Sequence, residues 1–434
     1  MMLHPSIIIT FPYSLGLPGG GPRDYLQTVK HLALKGARVT VMPVATHVHK
    51  AYPRPALPDE ASGKRQYAGL IEAGVSVKVI APSPVHYLLD AWRVRNAVKR
   101  AIDGGGVDAV ISYWLEGMFL PAVLRRHRTV YAVAAAASYS LWLDDDTSAR
   151  RSGPVTFSAA GIRNAIKRYV YWSLIDHVYL PVRRLKSQWF FGRSLRAAEI
   201  VFARSEFTGR ELIKYFQTDP ARIRTTYCGV DGEFSSVPRL RRDTVSRFIY
   251  FGAFVRAKGV FDAIAAFGRL AEAGLEHWTL RIAGWGDVAA VVHAAEQAGI
   301  ADRIEHAGRL DRAALLDALA WADVAVLPSH GESFGLAIAE AQASGLPVIA
   351  CHVGAVPEVV EDNRTGWLVD KGRPEQLYDR LRRAIEDPAL TYDMGMRGRD
   401  RIYRNFSWEA SADAMLTAIE RAGRSKLPIP TSPG

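Results

Sequence analysis

Two glutamates in the second half of the chain carry the strongest sign of chemistry. Glu332 lies in a loop after a predicted buried strand that ends at Leu327, and Glu340 follows with seven residues between them. An ionised carboxylate only accepts hydrogen bonds, so a pair of carboxylates suits the hydroxyl donors of a sugar. The structural alternative is that Glu332 is favoured by a helix dipole and that Glu340 is a solvated helix position.

The residues between the glutamates predict the start of a helix at Phe334. The first backbone N–H groups of a helix have no partner inside it, and the helix dipole is positive there. The amides of Phe334, Gly335 and Leu336 therefore suit the phosphates of a diphosphate. We place Ser333 in the same donor-binding set.

A second candidate loop, Gly252 to Gly259, follows a predicted strand at Arg247–Phe251 and precedes a predicted helix. Gly252, with Ala253 beside it, lets the backbone approach a ligand closely. Lys258 and Arg256 could neutralise the charge that develops when a bond to a diphosphate breaks. The alternative is that both are ordinary surface cations.

Two glycine motifs are weaker signals. The run that includes Gly20 and Gly21 follows the first predicted strand and could form a nest of N–H groups for an anion, although a flexible turn explains it as well. The segment Gly284–Ala289 matches the dinucleotide fingerprint, and Glu305 lies roughly 20 residues further on. Its strand is predicted to be the second of its domain, whereas the fingerprint belongs on the first, which argues against an NAD enzyme.

The positive charge of the chain is concentrated in residues 147–247. This stretch holds 19 Lys and Arg against 8 Asp and Glu, an excess of 11 that equals the formal net charge of +11. Such a field would attract an anionic membrane surface or a phosphate-bearing substrate, and a solvated helical face is the alternative. Nucleic acid is not favoured, because no recognition motif accompanies the charge.

The sequence gives no sign of a metal site or of a membrane segment. Its two cysteines, Cys228 and Cys351, have no metal-ligand spacing, and their scarcity fits a reducing compartment. The N-terminal apolar run is too short for the core of a signal peptide. We therefore expect a cytoplasmic protein, and the basic stretch 147–247 suggests peripheral contact at the inner face of the membrane.

Strands alternate with helical patterns along two stretches, which predicts two doubly wound parallel sheets. We expect an N-terminal acceptor-side domain at 1–238 and a nucleotide-sugar-binding domain at 239–405. In the last segment, 406–434, an amphipathic helix at Trp408–Arg421 is expected to pack back on the first domain. Ligands of such sheets bind beyond the carboxyl ends of the strands, so the interdomain cleft is the expected site.

Together these residues resemble the GT4 family of retaining glycosyltransferases, which have the α/β GT-B fold of two facing Rossmann-like domains. The resemblance is strongest from Arg204 to Trp408. Glu332 to Glu340 resembles the family's E-x7-E motif. The other matching segments are Cys228–Asp231 with Phe234, Ala341–Pro347, Gly354–Glu358 and Thr365–Val369.

The resemblance implies a role for each candidate residue. Glu332 would contact the hydroxyls of the donor sugar, Glu340 would contact the ribose, and Lys258 would balance the charge of the phosphates. Arg309 and Leu310 would flank the base, and Gly20 and Gly21 would approach the donor diphosphate or the acceptor. The family needs no metal or other cofactor, and a run at Asp144–Asp146 is interpreted as a loop of charges.

Two departures from the family pattern keep other functions open. Many members carry Arg where this chain has Ala253, and many carry a His in the segment that here runs from Val133 to Ser140 without one. Arg256 is the candidate substitute for the first. The alternatives are a catalytically weak GT-B protein that binds a nucleotide or polymer, and a phosphorylase of the same fold. The nucleotide (UDP slightly favoured over GDP), the sugar, the acceptor and the oligomeric state stay open.

Overall fold

The chain forms two compact units, each built on a parallel sheet. The computed structural model describes residues 4–11, 20–43, 67–80, 87–113, 117–125, 127–135, 189 and 191–426. The described residues of unit 1 are those up to Arg204, Thr208–Thr226 and those from Ser411 onward; unit 2 holds Ser205–Phe207 and Tyr227–Ala410. The division after Thr226 precedes the turn-rich segment 235–243, where the sequence predicts a boundary.

The described part of unit 1 contains a parallel sheet of seven strands in the order β3-β2-β1-β4-β5-β6-β7. Its strands are β1 Ser6–Phe11, β2 Arg38–Pro43, β3 Ser76–Val77, β4 Ala109–Ser112, β5 Val130–Ala135, β6 Ile200–Ala203 and β7 Ile223–Thr225. Its helices are α1 Gly20–Leu34, α2 Ala68–Glu72, α3 Tyr87–Asp103, α4 Leu120–Leu124 and α5 Glu206–Phe216, which begins in unit 2. Residues 191–197 are also helical.

Alternation of side chains along β1 explains why both faces of this sheet are covered. Ile7 and Ile9 belong to one apolar cluster, and Ile8 belongs to the other. Successive residues of a strand point to opposite faces, so a run of β-branched residues requires apolar partners on both. This is the doubly wound arrangement that the sequence predicts.

The described residues of unit 2 contain a parallel sheet of six strands in the order β10-β9-β8-β11-β12-β13. Its strands are β8 Arg247–Phe254, β9 Thr279–Gly286, β10 Ile304–Gly308, β11 Val324–Leu327, β12 Val348–Cys351 and β13 Gly366–Val369. Its helices are α6 Val260–Glu272, α7 Val288–Gln297, α8 Arg312–Trp321, α9 Leu336–Ala343, α10 Val356–Val359, α11 Pro374–Glu386 and α12 Pro388–Asn405.

The last helix, α13 at Trp408–Ser425, belongs to unit 1 from Ser411 onward. Its buried residues Ala412, Met415 and Ile419 recur at helical spacing and join the apolar cluster that contains Ile7 and Tyr25. No helix among the described residues is long and apolar enough to cross a membrane.

Several local predictions need correction. The sequence pattern predicts a strand at Val75–Ile80 and a helix at Glu116–Arg126. The strand β3 covers only Ser76–Val77, and the helix α4 covers only Leu120–Leu124. The sequence analysis missed α5, β7 and β13. The basic and aromatic pattern of residues 144–191 also predicts long helices on the first domain. That segment, with the run at 144–146, lies outside the described residues except for residues 189 and 191.

A buried arginine fixes α1 within unit 1. Arg204 follows β6, is 1% exposed, and forms an ion pair with Asp24 of α1 at 2.9 Å. Its Nη2 also donates to Thr28 Oγ1 at 2.6 Å and to the Tyr113 hydroxyl at 3.1 Å. Burial raises the pKa of the Tyr113 hydroxyl, so it stays protonated beside this pair.

Candidate functional site

The strand order of unit 2 defines where a ligand would bind. β9 and β10 lie on one side of β8, and β11, β12 and β13 lie on the other, so the winding reverses between β8 and β11. In open α/β sheets, ligands occupy the crevice beyond the carboxyl ends at such a point. The chain leaving β8 carries Lys258, and the chain leaving β11 carries Glu332.

These two side chains meet. Lys258 Nζ lies 2.7 Å from Glu332 Oε1, and the side chains are 38% and 17% exposed. Because both remain accessible to solvent, the pair itself contributes little to stability. It places an ammonium and a carboxylate within reach of one ligand at the switch point of the sheet.

Contacts between backbones fix the two loops against each other. Gly259 has φ +72°, and a Cβ there would lie 2.0 Å from the carbonyl oxygen of Pro328. The His330 amide donates to the Ala257 carbonyl at 2.8 Å, and His330 Nε2 lies 2.6 Å from Asp262 Oδ2. The separation between Lys258 and Glu332 is therefore set by the fold rather than by their own attraction.

The backbone of Glu332 is held on its other side by the turn after β12. The Ala355 amide donates to the Glu332 carbonyl at 3.0 Å. A Cβ on Gly354, which has φ +55°, would lie 2.1 Å from that same carbonyl oxygen. Ser205 Oγ donates to the Ser333 carbonyl at 2.7 Å, so the loop is anchored at two successive residues.

The helix after this loop starts later than predicted. α9 begins at Leu336, and Gly335, with φ +93°, occupies the N-cap position. Glycine has no side chain to cap the helix, so the first amides keep their capacity to bind an anion. Phe334 is 3% exposed and contributes its ring to the core beside Tyr227 and Phe406.

Two arginines bind the opposite end of α9. Arg239 Nε donates to the Ser344 carbonyl at 2.6 Å, and Arg399 Nε donates to the Ala343 carbonyl at 3.2 Å. Cations near the last carbonyls of a helix offset the negative end of its dipole. They also fix the position of a short helix whose N-terminus faces the candidate site.

Glu340 lies in the middle of α9 and is only 6% exposed. The alternative in which it is a solvated helix position is therefore wrong. A nearly buried carboxylate requires polar partners, which is consistent with a binding role but does not identify the ligand. Its contact with a ribose stays a prediction.

Gly252 and Ala253 lie inside β8, which runs to Phe254, and not in a loop after it. Gly252 pairs with Gly284 of β9, where a Cβ on Gly284 would lie 1.8 Å from the Gly252 carbonyl oxygen. The Tyr250 hydroxyl donates to the Ala253 carbonyl at 2.8 Å. Burial, with a smaller effect from the charge of Glu332, raises the pKa of Tyr250 and keeps that donor protonated.

The pairing of β8 with β9 also argues against a dinucleotide site at Gly284–Ala289. Gly284 and Gly286 end strand β9 instead of forming a turn before a helix, and a Cβ on Gly286 would lie 2.8 Å from the Cβ of Phe254. α7 follows with Asp287 as its N-cap, whose carboxylate accepts from the Ala290 amide at 3.0 Å. These glycines are required by the close pairing of β8 with β9.

Comparison with known proteins agrees with this geometry. Residues 233–401 match the protein family described as glycosyl transferases group 1. This segment of the chain is therefore similar to the group 1 glycosyl transferases. The match contains both candidate loops and the whole of α9.

Its relatives in sequence are glycosyltransferases. It is 30% identical over 252 residues to a D-inositol 3-phosphate glycosyltransferase of Thermobifida fusca (strain YX), and the match covers 54% of this chain and 58% of the relative. It is 31% identical over 243 residues to a glycogen synthase of Mycobacterium tuberculosis (strain H37Rv), with the same coverage of 54% and 58%. The match thus spans little more than half the length of these relatives.

Solved structures show the fold. Sucrose-phosphate synthase from Thermosynechococcus elongatus gives a TM-score of 0.71 at 18% identity, covering 97% of this chain and 100% of that one. Anabaena Alr3699/HepE in complex with UDP and glucose gives 0.66 at 17% identity, covering 96% and 100%. The fold is the GT-B fold of glycosyltransferases, as the resemblance implies.

The remaining predicted site residues are less closely grouped. Arg256 lies in the single helical turn Arg256–Lys258, with its guanidinium carbon 5.7 Å from the centre of the Phe261 ring. Arg309 and Leu310 follow β10, the outermost strand on that side of the sheet, and Arg309 is exposed. Gly20 and Gly21 belong to unit 1, at the start of α1.

Sequence analysis missed the partners of one motif residue. Asp231 accepts from Arg312 Nη2 at 2.8 Å and from Trp408 Nε1 at 3.0 Å. A Cβ on Gly229 would lie 2.1 Å from the Trp408 backbone nitrogen. The matching segment from Cys228 therefore anchors the start of α13, and the spacing of Asp231 from a distant Trp gave no sign of it.

Among the described residues, no cluster of three or more His, Cys, Asp and Glu side chains could hold a metal ion.

Proposed function

We propose that this protein transfers a hexose-type sugar from a nucleoside-diphosphate sugar to a glycan or lipid-linked acceptor, with retention at the anomeric carbon and without a metal ion. The observation that carries the proposal is the contact between Lys258 and Glu332 at 2.7 Å, at the switch point of the unit 2 sheet. The family match adds the reaction class.

In this proposal Glu332 and Lys258 have different roles. A diphosphate at the N-terminus of α9 would compete with Glu332 for the ammonium of Lys258, because it carries more negative charge. Glu332, once released, would accept hydrogen bonds from sugar hydroxyls. Lys258 would then stabilise the phosphate oxygen as its bond to the anomeric carbon breaks.

The attacking hydroxyl would approach from the face that the diphosphate leaves. The leaving phosphate oxygen would take the proton of that hydroxyl, so positioning and charge stabilisation would supply the catalysis. UDP is the favoured nucleotide, and the likeness to Anabaena HepE, whose structure holds UDP and glucose, supports it. The acceptor would be an intermediate of polysaccharide biosynthesis, with the enzyme in the cytoplasm.

A donor screen with matched variants tests the proposal. Purified protein is incubated with UDP- and GDP-hexoses, and release of the nucleotide is measured with and without EDTA. Glu332→Gln and Lys258→Met should each lower the rate about 10²-fold or more. Glu305→Gln is the control. The Glu305 carboxylate forms an ion pair with Arg281 at 2.7 Å, and this pair does not belong to either candidate loop. Near-normal turnover in both site variants would refute the assigned roles, and loss of activity in EDTA would refute metal independence.

Ala253 favours a second candidate, a catalytically weak protein that binds a nucleotide or polymer. A donor that raises the melting temperature of the protein but is neither hydrolysed nor transferred would support it. Release of a sugar phosphate that depends on free phosphate would instead identify a phosphorylase of the same fold.

Contact with an anionic membrane stays a proposal for residues 147–247, of which 147–188 and 190 lie outside the described residues. Co-sedimentation with vesicles of anionic and of neutral lipid tests it, because surface attraction to basic segments requires the anionic headgroups.

A further inference from the structure

A basic groove lies at the amino ends of strands β5 to β7 in unit 1. Its volume is about 810 Å³. Arg125 precedes β5, Arg196 precedes β6, and Arg222 and Arg224 lie at the start of β7. Because ligands of doubly wound sheets bind at the carboxyl ends, this groove is not where the proposed transfer would occur in such a fold.

One face of α13 forms the other side of the groove. Ala414, Ala418, Ala422 and Ser425 recur at helical spacing along this face, and Arg421 projects from it. The stretch from Ala414 to Ser425 is about 16 Å long at 1.5 Å per residue. Small side chains leave room along this length, so the groove is an open channel with basic walls rather than a closed pocket.

Most of the positive charge of the groove is not neutralised within the described residues, since of its arginines only Arg222 has an ion pair there, with Asp219 at 3.5 Å. Five arginines line it, and its carboxylate, Glu199, is already paired with Lys426 at 2.9 Å. Arg222 and Arg224 are fixed by hydrogen bonds to nearby backbone carbonyls. In the described part of the chain, the guanidinium groups of Arg125, Arg196 and Arg421 have neither a hydrogen bond nor an ion pair.

An exposed aromatic ring adjoins the groove. A second cavity of about 380 Å³ shares Arg125 and Arg196 with the first and is lined by Trp189 and Arg193. Trp189 is 56% exposed, and the Arg193 guanidinium carbon lies 6.0 Å from its ring centre. A flat indole face can stack on the C–H face of a sugar ring, whereas it has no special fit to a simple inorganic anion.

We infer that this groove binds an acidic glycan, a chain of sugars that carries carboxylate groups at intervals. Guanidinium groups form paired hydrogen bonds to carboxylates, and a row of them along an extended channel matches a row of such groups. The volume is in the range of ligand sites, and the concave shape fits a chain better than a flat membrane surface. The inference does not depend on the proposed transfer reaction, since it concerns binding alone.

Calorimetry with defined oligomers tests the inference on the full chain. Oligogalacturonate is titrated at low and at physiological salt, and a neutral malto-oligosaccharide of equal length is the comparison. We expect binding of the acidic oligomer only, weakened by salt. The triple variant Arg125→Gln, Arg196→Gln, Arg421→Gln should weaken it about tenfold or more, since three charge-assisted contacts are removed.

A second triple variant controls for net charge. Arg382, Arg383 and Arg404 lie on surface helices of unit 2, where each forms an exposed ion pair one helical turn away. Replacing all three by Gln removes the same charge and should change the affinity for oligogalacturonate less than about twofold. Equal losses in both triple variants, or no loss in the groove variant, would overturn the proposal.

Three further arms decide the chemical class of the ligand. Trp189→Ala should weaken the binding of oligogalacturonate and leave any binding of tripolyphosphate unchanged. Tripolyphosphate binding as tightly as oligogalacturonate, with no effect of Trp189→Ala, would make the groove a phosphate site and overturn the glycan assignment. Tighter binding to phosphatidylglycerol vesicles or to single-stranded DNA, lost in the groove variant, would overturn it in favour of a membrane or nucleic acid.

Discussion

Replacing Gly259 by Ala should separate the two loops that hold Lys258 and Glu332. Gly259 connects the turn that contains Lys258 to α6, with φ +72°. A new Cβ would lie 2.0 Å from the Pro328 carbonyl oxygen, whereas ordinary contacts start at 3.4 Å. That atom belongs to the backbone, so no rotation of a side chain can relieve the overlap, and one loop must move by more than 1 Å.

The cost has two parts, which a second glycine separates. A left-handed conformation costs a residue with a Cβ about 1–2 kcal/mol. Gly274 has φ +78°, and a Cβ added there would meet no atom within 4 Å, so Gly274→Ala carries this cost alone. Overpacking against a fixed neighbour adds about 1–3 kcal/mol. Gly259→Ala should therefore lower the free energy of unfolding by that further amount relative to Gly274→Ala.

The displacement should also reach the proposed reaction. A shift of 1 Å in a positioning element can reduce a rate about 10²-fold, because the reacting groups no longer meet in the productive geometry. Urea titration followed by tryptophan fluorescence measures the stability, and nucleotide release from the preferred donor measures the rate. Gly274→Ala should retain the rate of the parent protein.

The reasoning fails if Gly259→Ala and Gly274→Ala are equally stable. If the Gly259 variant is destabilised but keeps full activity, the predicted effect on the reaction rate is refuted, since the loops would then tolerate a shift without losing the site.

Two other predictions concern the buried groups of each unit. Arg204→Met leaves Asp24 as a buried charge without its partner, so the free energy of unfolding in urea titrations should fall by about 3–5 kcal/mol. Adding Asp24→Leu should recover part of this loss. An Arg204→Met variant as stable as the parent would contradict a stabilising role of the buried ion pair. Burial raises the pKa of the Cys351 thiol from 9.0 to about 12, so its stabilising effect is complete below about pH 9 and is lost as pH rises toward 12. Urea titrations across this window should show a decline in stability that is shallower in Cys351→Ala, and an equal slope in both proteins would exclude the thiol as its source.

The sequence predicts most of the sheet architecture because strand patterns in buried parallel sheets are local. The run at Ser6–Phe11 and the run at Val324–Leu327 are short, apolar and bounded by turn residues, and both form strands with the predicted bounds. The alternation of such runs with helices fixes the doubly wound class, which the structure confirms.

Local sequence patterns do not identify the glycine-rich ends of strands. Gly252 and Gly284 have the composition of turns, yet both lie in paired strands. Only the neighbouring strand explains them, and the sequence does not state which strands are neighbours. For the same reason β13, at Gly366–Val369, was interpreted as a motif and not as a strand.

The charged residues of the candidate site were predictable, but their supports were not. Lys258 and Glu332 stand out because each is a charge that follows a predicted strand and precedes a predicted helix, although each also has a structural alternative. His330 and Asp262, which bridge the two loops, are separated by 68 residues and show no shared pattern. Arg239 reaches the end of α9 from the predicted boundary between the domains at 1–238 and 239–405, where the sequence assigns it no role.

The motif residues around the candidate site form two groups, one needed for the structure of the loops and the other available for binding. Gly259, Gly335 and Gly354 all have positive φ, and the first and third also lie against backbone atoms of the neighbouring loop. Their lack of a Cβ is therefore needed to build the loops, whether or not a ligand approaches. Lys258 and Glu332 are partly exposed and contribute little to the fold. Substitutions of the glycines should consequently change stability and binding together, whereas substitutions of the charged pair should change binding and leave stability nearly intact.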